Sequence, residues 1–343
     1  MSRAQQHILA IAIVLAVIVV CGIHVFLFPM YTTNQPNHHT KISSYEQVLC
    51  RGGSLNKKKY IINNNKFVPI EWINSCPKYG IVSATQGGRL GNQIFQYASV
   101  WATARKTGLD PFLPRCILKT LEEHFDNLSI PPLSYIGTCT IDVGQVVSSL
   151  GQWNSTEQNI IIPRYAAYWS LILLWLDDVR REFTFRLALK LYADKILKKI
   201  SIKFNTTDPT YVGVHVRRTD YVDYLWQKLK IRPAPVRYYL TAMDYFHNKY
   251  ENVIFVIASD SINWCKFNLN SKKHRISLIS DINARGPGKD LAVLAACNHS
   301  IIDYGTYGSF AAILTGGETI SYNVTTYFST MIADIMPNWR IMS

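Results

Sequence analysis

Acidic residues are scarce in this 343-residue chain: 23 Asp and Glu stand against 36 Lys and Arg, a formal net charge of +13. That surplus favours an anionic partner, whether a nucleotide, an acidic glycan, a membrane surface or nucleic acid, and alone does not choose among them. The sequence also lacks a Gly-Lys-Ser/Thr phosphate loop and a G-x-G-x-x-G fingerprint, so neither familiar nucleotide-binding signature is present. No short internal repeat is visible, which sets aside a solenoid. Hydrophobic residues make up 48% of the chain, material for one large core or two abutting ones, so disorder is not the default.

One stretch has no formal charge at all. Ile8 to Phe28 is 21 residues without Asp, Glu, Lys or Arg, long enough for a helix to cross a ~30 Å hydrocarbon layer. A cleaved signal peptide is the competing reading. Against it, the run exceeds the usual apolar core and no clean small-x-small site follows. Arg3 precedes the span and Lys41 is the first Lys or Arg after it, giving a short cytosolic tail (1–7), an anchor (8–28) and a luminal body. Five N-x-S/T sequons, at Asn127, Asn154, Asn205, Asn298 and Asn323, agree with that side of the membrane. Asn298 is expected to be occupied less often than the rest, because it lies at a helix-to-strand junction. Cys21 falls in the span, and the six cysteines beyond it (Cys50, Cys76, Cys116, Cys139, Cys265, Cys297) suit an oxidising lumen. They leave about 15 full pairings open, and several could equally be buried thiols. A luminal address argues against nucleic acid as the anionic partner.

Residues 29–79, rich in Asn, Lys, His, Ser and Thr, read as a stem. The body opens with a strand at Ile81 to Ala84, a glycine-rich turn and a helix from Asn92 to about Lys106. Between Gly108 and Gln158 the pattern is mixed. A strand at Asn159 to Tyr165 and helices around 169–182 and 186–199 follow. From Tyr211 onward short apolar runs at 211–216, 253–258, 276–279, 300–303 and 319–322 alternate with helical patterns, as parallel strands joined by crossover helices do. The expectation is an α/β protein with an N-terminal Rossmann-like domain over 80–207 and a C-terminal one over 208–343, whose ligands sit beyond the carboxyl ends of the strands.

Three strand-end segments carry candidate chemistry. Val214-His215-Val216-Arg217-Arg218-Thr219-Asp220 ends the first C-terminal strand, where guanidinium forks could meet a pyrophosphate. Alternation puts Arg217 on the His215 face and Arg218 on the other. An Arg pair alone is more often a surface ion-pair former. Gly87-Gly88-Arg89-Leu90-Gly91-Asn92-Gln93 lies between strand and helix, where glycines admit an anion to free N–H groups, although such turns are often only turns. Asp260 in Ser259-Asp260-Ser261, and Thr306 in Gly305-Thr306-Tyr307-Gly308-Ser309, could hold a nucleotide or could simply cap helices.

Together these segments resemble one family, the galactoside α1,2-fucosyltransferases. Gly87 to Tyr97 is similar to the family's opening motif and Val212 to Tyr221 to its donor-binding motif. Ala258-Ser259-Asp260 with Trp264-Cys265-Lys266 is similar to a third, and Ala296 to Ile302 with Gly305 to Gly308 and Leu314 to Gly317 to a fourth. All stand in family order over Gly87 to Gly317. The resemblance implies a GT-B-like pair of Rossmann-like domains in a Golgi membrane protein, single-pass type II with the catalytic domain luminal. It also implies inverting, metal-independent transfer of fucose from GDP-fucose, a co-substrate, to a galactose hydroxyl, with no cofactor. No Asp-x-Asp occurs in the chain, which independently weighs against a metal-binding acidic dyad. Carried over by position, Arg217 grips the donor pyrophosphate, His215 and Arg218 support it, and Asp260 and Thr306 contact the nucleotide. Asn92 reaches the donor phosphate from the other domain, by analogy with O-fucosyltransferases whose segment also ends Gly-Asn-Gln. The sequence departs from the animal pattern at Tyr304-Gly305-Thr306-Tyr307-Gly308-Ser309-Phe310, where animal members usually have Phe before the Gly-Thr and Ile-Trp after it. It also lacks the glutamate that α1,6-fucosyltransferases place after the arginine run. Asp223 is the candidate base and Asp220 a residue that holds the arginine loop. The rival readings are a fucosyltransferase of another linkage, or an anchored glycan-binding protein that has lost transfer.

Overall fold

The computed structural model describes residues 80–126, 128–136, 159–280, 286–324 and 336–343, residues 46, 49–50, 77 and 332, and the backbone of short strands at 39–41, 59–61, 140–141 and 145–146. The expected span at 8–28, the sequons at Asn127 and Asn154, and Cys21, Cys76 and Cys139 lie outside the described residues. Among the described residues no helix is long and apolar enough to cross a membrane.

Two parallel sheets organise the body. The first runs in the order Asp110–Pro111, Ile81–Ala84, Ile160–Ile162, Gln145–Val146, with every pairing parallel. The second runs in the order Arg275–Leu278, Val253–Ser259, Thr210–Val216, His299–Ile302, Thr319–Tyr322, Trp339–Met342, again all parallel. Numbered along the chain this is 3-2-1-4-5-6, so the order reverses beside Thr210–Val216, and sheets of this order carry their ligands beyond the carboxyl ends of the strands at such a reversal. The sixth strand escapes a reading of apolar runs because its four residues include exposed Arg340.

Alternation within Thr210–Val216 sets both faces of the second sheet. Val212, Val214 and Val216 pack with Tyr238, Tyr239, Met243 and Phe246 of the helix Val236–Lys249, each burial worth about 1.5–3 kcal/mol. Gly213 faces the opposite layer, where a Cβ would stand 3.1 Å from Leu294 in the helix Pro287–Ala295. That layer is completed by the helix Leu187–Lys203, whose Ala193, Leu197 and Ile200 cluster with Ile254, Val256 and Val293. A helix that precedes residue 207 in sequence thus covers the second sheet.

The helix Leu90–Thr107 is buried almost all round, including Ile94, Phe95, Tyr97, Ala98, Val100 and Ala102. One side packs on the first sheet and another on the helix Thr306–Thr315, where the Phe95 and Phe310 rings stand 5.5 Å apart. Tyr97 keeps its buried hydroxyl satisfied by donating to Glu182 at 2.5 Å and accepting the Ile130 N–H at 3.1 Å. The helical pattern over 169–182 resolves into two helices, Trp169–Leu174 and Leu176–Glu182, broken at Trp175 (φ −127°, ψ 41°). Cys50 is disulfide-bonded to Cys116 and Leu49 is fully buried, so the segment read as a stem is fastened to the body near its middle. Cys265 and Cys297 are buried thiols.

Candidate active site

Most of the sequence-predicted residues gather at the carboxyl ends of the strands beside the reversal. His215 and Ile302 are register partners in neighbouring strands, so the chain leaving each strand places Arg217 next to Asp303. The Arg217 N–H donates to Asp303 Oδ2 at 2.6 Å, and the Tyr239 hydroxyl donates to the same oxygen at 2.8 Å. Asp303 is 6% exposed, and its other oxygen lies 3.5 Å from His215 Nδ1. His215 is itself buried, with its ring 5.2 Å from that of Tyr307.

The Arg217 side chain is 14% exposed. Its guanidinium pairs with Asp260 and Asp220, bonds Thr219 Oγ1 at 2.8 Å, and covers the Tyr221 ring at 4.8 Å. Asp260 also takes the Arg218 N–H at 2.9 Å and the Thr219 hydroxyl. A planar fork held by two carboxylates and an aromatic face is fixed in orientation, which a flexible ammonium would not be. Arg218 leaves on the other face and sits 4.0 Å above the Trp264 ring. The two guanidiniums therefore have different neighbours.

The two glycine-containing turns meet. Thr306 Oγ1 donates to Asn92 Oδ1 at 3.1 Å, and a Cβ on Gly91 would lie 2.7 Å from the Tyr307 nitrogen. Gly88 takes φ +70° with the Asn92 side chain against it, so both glycines are required by shape. The approach brings the first turns of two long helices, Leu90–Thr107 and Thr306–Thr315, to one place, and with them N–H groups lacking partners within their helices.

Burial pushes the Asp220 carboxyl up, but the Thr219 hydrogen bond and the Arg217 and Arg89 charges outweigh it and hold the group below its ordinary range. Arg89 stands 3.7 Å from Asp220, but both side chains are more than half exposed, so that pair contributes at most about 1 kcal/mol. Burial, reinforced by Tyr224, pushes the Tyr221 phenol up to about 12. Asp290 is raised by burial, against the opposing Ser280 hydrogen bond and His215 charge.

Of the sequence-predicted residues, Arg217, Arg218 and Asp260 form one network. Asn92 pairs with Thr306, and His215 connects the two through Asp303 and Tyr307. Asp223 is not brought into it: it is exposed on the short helix Thr219–Tyr224. Asn205, Asn298 and Asn323 are exposed, and Asn298 Oδ1 accepts the Tyr211 N–H at 2.8 Å. Sequence reading missed Asp303 and Tyr221. The position of Asp303 at a strand end, just before Gly305, was the available signal for the first.

A parallel sheet of order 3-2-1-4-5-6, with a fixed guanidinium fork and two glycine-lined helix N-termini at its reversal point, defines a doubly wound α/β protein. The chain belongs to glycosyl transferase family 11, whose sequence model matches residues 47–342. Galactoside alpha-(1,2)-fucosyltransferase 2 of Gorilla gorilla gorilla is 33% identical over 240 residues, 68% of this chain and 68% of that protein. Galactoside alpha-(1,2)-fucosyltransferase 1 of Rattus norvegicus is 32% identical over 257 residues, 72% of this chain and 68% of that protein. Among solved structures, NodZ alpha-1,6-fucosyltransferase co-crystallized with GDP is 13% identical, with a TM-score of 0.44 over 68% of this chain and 91% of that chain.

Proposed function

We propose that this chain is a galactoside 2-alpha-L-fucosyltransferase, which moves L-fucose from GDP-fucose to a galactose hydroxyl on a glycan, with inversion and without a metal, on a GT-B-like pair of Rossmann-like domains. The observation that carries this reading is the placement of Arg217, held by Asp260, at the reversal point of a parallel sheet in a chain of this family.

The galactose oxygen attacks the anomeric carbon, and the bond to the β-phosphate oxygen breaks through an oxocarbenium-like transition state. Negative charge then gathers on the departing diphosphate. Asp220, with its side chain 59% exposed, is the partner that a diphosphate displaces from Arg217, while Asp260 keeps the fork in plane. Donors fixed before the reaction contribute several kcal/mol to such a transition state. Thr306 and the N–H groups behind it support the phosphates, and Asn92 reaches them from the first sheet's helix. Asp223, with no ion pair among the described residues, is the proposed base. Asp223→Asn should then lower kcat with little change in the donor KM.

The same reading places the chain in the Golgi membrane as a single-pass type II protein with a luminal body. The Ile8 to Phe28 run, the exposed sequons and the Cys50–Cys116 disulfide support it. Protease protection of the body in intact microsomes tests it.

The decisive experiment incubates the detergent-solubilised full chain with labelled GDP-fucose and a galactose-terminated acceptor, with and without EDTA, and assigns the product linkage by NMR. An α1,2-linked product formed in EDTA is expected. Absence of transfer, or loss on chelation restored by manganese, overturns the corresponding part.

A further inference from the structure

The helix that follows Arg217 carries an unusual run of aromatic side chains. Arg217 covers Tyr221, the Tyr221 ring lies 5.3 Å from Tyr224, and on its other flank 5.6 Å from Tyr304. Tyr304 belongs to the segment in which this sequence departs from the animal pattern of its family. The series starts beside Arg217 and rises into solvent at Tyr224, 43% exposed; Trp226, two residues on, is 56% exposed. Singly exposed aromatics are ordinary. Here, Tyr224 stands at the open end of a series of tilted ring contacts whose other end is the candidate clamp.

The backbone beneath them is also irregular. Helix Thr219–Tyr224 passes directly into a π-helical turn, Leu225–Leu229, which ends at Lys230 in the left-handed region (φ 56°). π-turns inserted at helix ends recur at functional sites, because the extra residue re-aims the side chains around it. The turn is anchored from below by buried Leu225 and leaves Tyr224 and Trp226 outward.

We propose that Tyr224, backed by Tyr221 and Tyr304, is the platform on which the acceptor pyranose stacks. The site takes a neutral hexopyranose with an apolar C–H face, such as a β-galactoside, and presents its rim hydroxyls toward the donor held at Arg217. Aromatic faces suit this ligand because they cover C–H bonds without stripping water from hydroxyls at the ring edge. The proposal rests on the transferase reading above for the donor's position, but the platform is defined by its own side chains.

Two measurements on the full chain separate it from that reading. In steady-state kinetics, Tyr224→Ala should raise the acceptor KM about tenfold, the worth of one aromatic contact, with the donor KM within twofold of the parent. Tyr224→Trp should restore the acceptor KM, since a stacking face is what matters. In saturation-transfer NMR with GDP present, methyl β-galactoside should show contact with the parent and lose most of it in Tyr224→Ala, whether or not transfer is detected. An unchanged acceptor KM and an unchanged NMR signal in folded Tyr224→Ala would overturn the platform while leaving the transferase intact. Failure of the parent to transfer, with galactoside binding still dependent on Tyr224, would overturn the transferase and leave the platform.

Discussion

Thr306 donates its hydroxyl to Asn92 across 214 positions of sequence, at 3.1 Å. That bond joins the glycine-rich turn after the first strand of one sheet to the helix that follows the fourth strand of the other. Two weak sequence signals, each readable as an ordinary turn or cap, become one site because the chain brings them into contact.

The guanidinium of Arg217 is the group whose geometry matters most. Arg217→Lys keeps the charge but loses the planar fork shared by Asp260, Asp220 and Thr219. It should lower kcat/KM on the order of 100-fold, about 3 kcal/mol. Arg218→Lys loses mainly its stacking on Trp264 and should change kcat/KM only a few-fold. Steady-state kinetics with melting curves for both variants checks this, and near-normal transfer by folded Arg217→Lys would remove the clamp from the mechanism.

Asp303 contacts the site from beneath, through the Arg217 N–H and the Tyr239 hydroxyl. Asp303→Ala leaves both donors buried without a partner, at about 1–3 kcal/mol each, so Tm should fall by several degrees. Asp303→Asn retains an acceptor and should cost less. Equal melting temperatures for the alanine variant and the parent would show that water replaces the carboxylate.

Gly91 is fixed by the backbone of Tyr307, 2.7 Å from where a Cβ would stand. Gly91→Ala should cost about 1–3 kcal/mol and raise the donor KM, because it pushes the two turns apart. Gly108→Ala is the control: its φ is +75° with nothing within 4 Å, so it should carry only the left-handed strain of about 1–2 kcal/mol, with the donor KM unmoved. Identical donor KM values for the two variants would refute the contact.

Burial holds the imidazoles of His124, His274 and His299 below their ordinary range, outweighing the nearby charges of Glu123, Asp244 and Glu318. In the unfolded chain they take up protons near pH 6.5, whereas the folded protein takes them up only at lower pH. The unfolded state therefore binds more protons across that window, and stability is lost as pH falls through it. Calorimetry should give a lower Tm at pH 5.5 than at pH 7.5. A Tm unchanged between the two would contradict the burial of these rings.

Sequence alone determined the strand-and-helix alternation from Tyr211 to Tyr322, because burial on both faces writes parallel strands as short apolar runs. It also determined the family, through four motifs in order. Only the tertiary structure decided which strands are neighbours, and hence that Asp303 lies beside Arg217. It also decided that helix Leu187–Lys203 covers the second sheet, and that Leu49 and Cys50 are tied to the body rather than to a free stem. Asp223 stayed outside the arginine network for the same reason: its exposure depends on how a six-residue helix packs, whereas its spacing from Arg217 is fixed by sequence. Periodicity records which face of an element is buried. What lies against that face is set by contacts between residues far apart in the chain, which a single sequence does not encode locally.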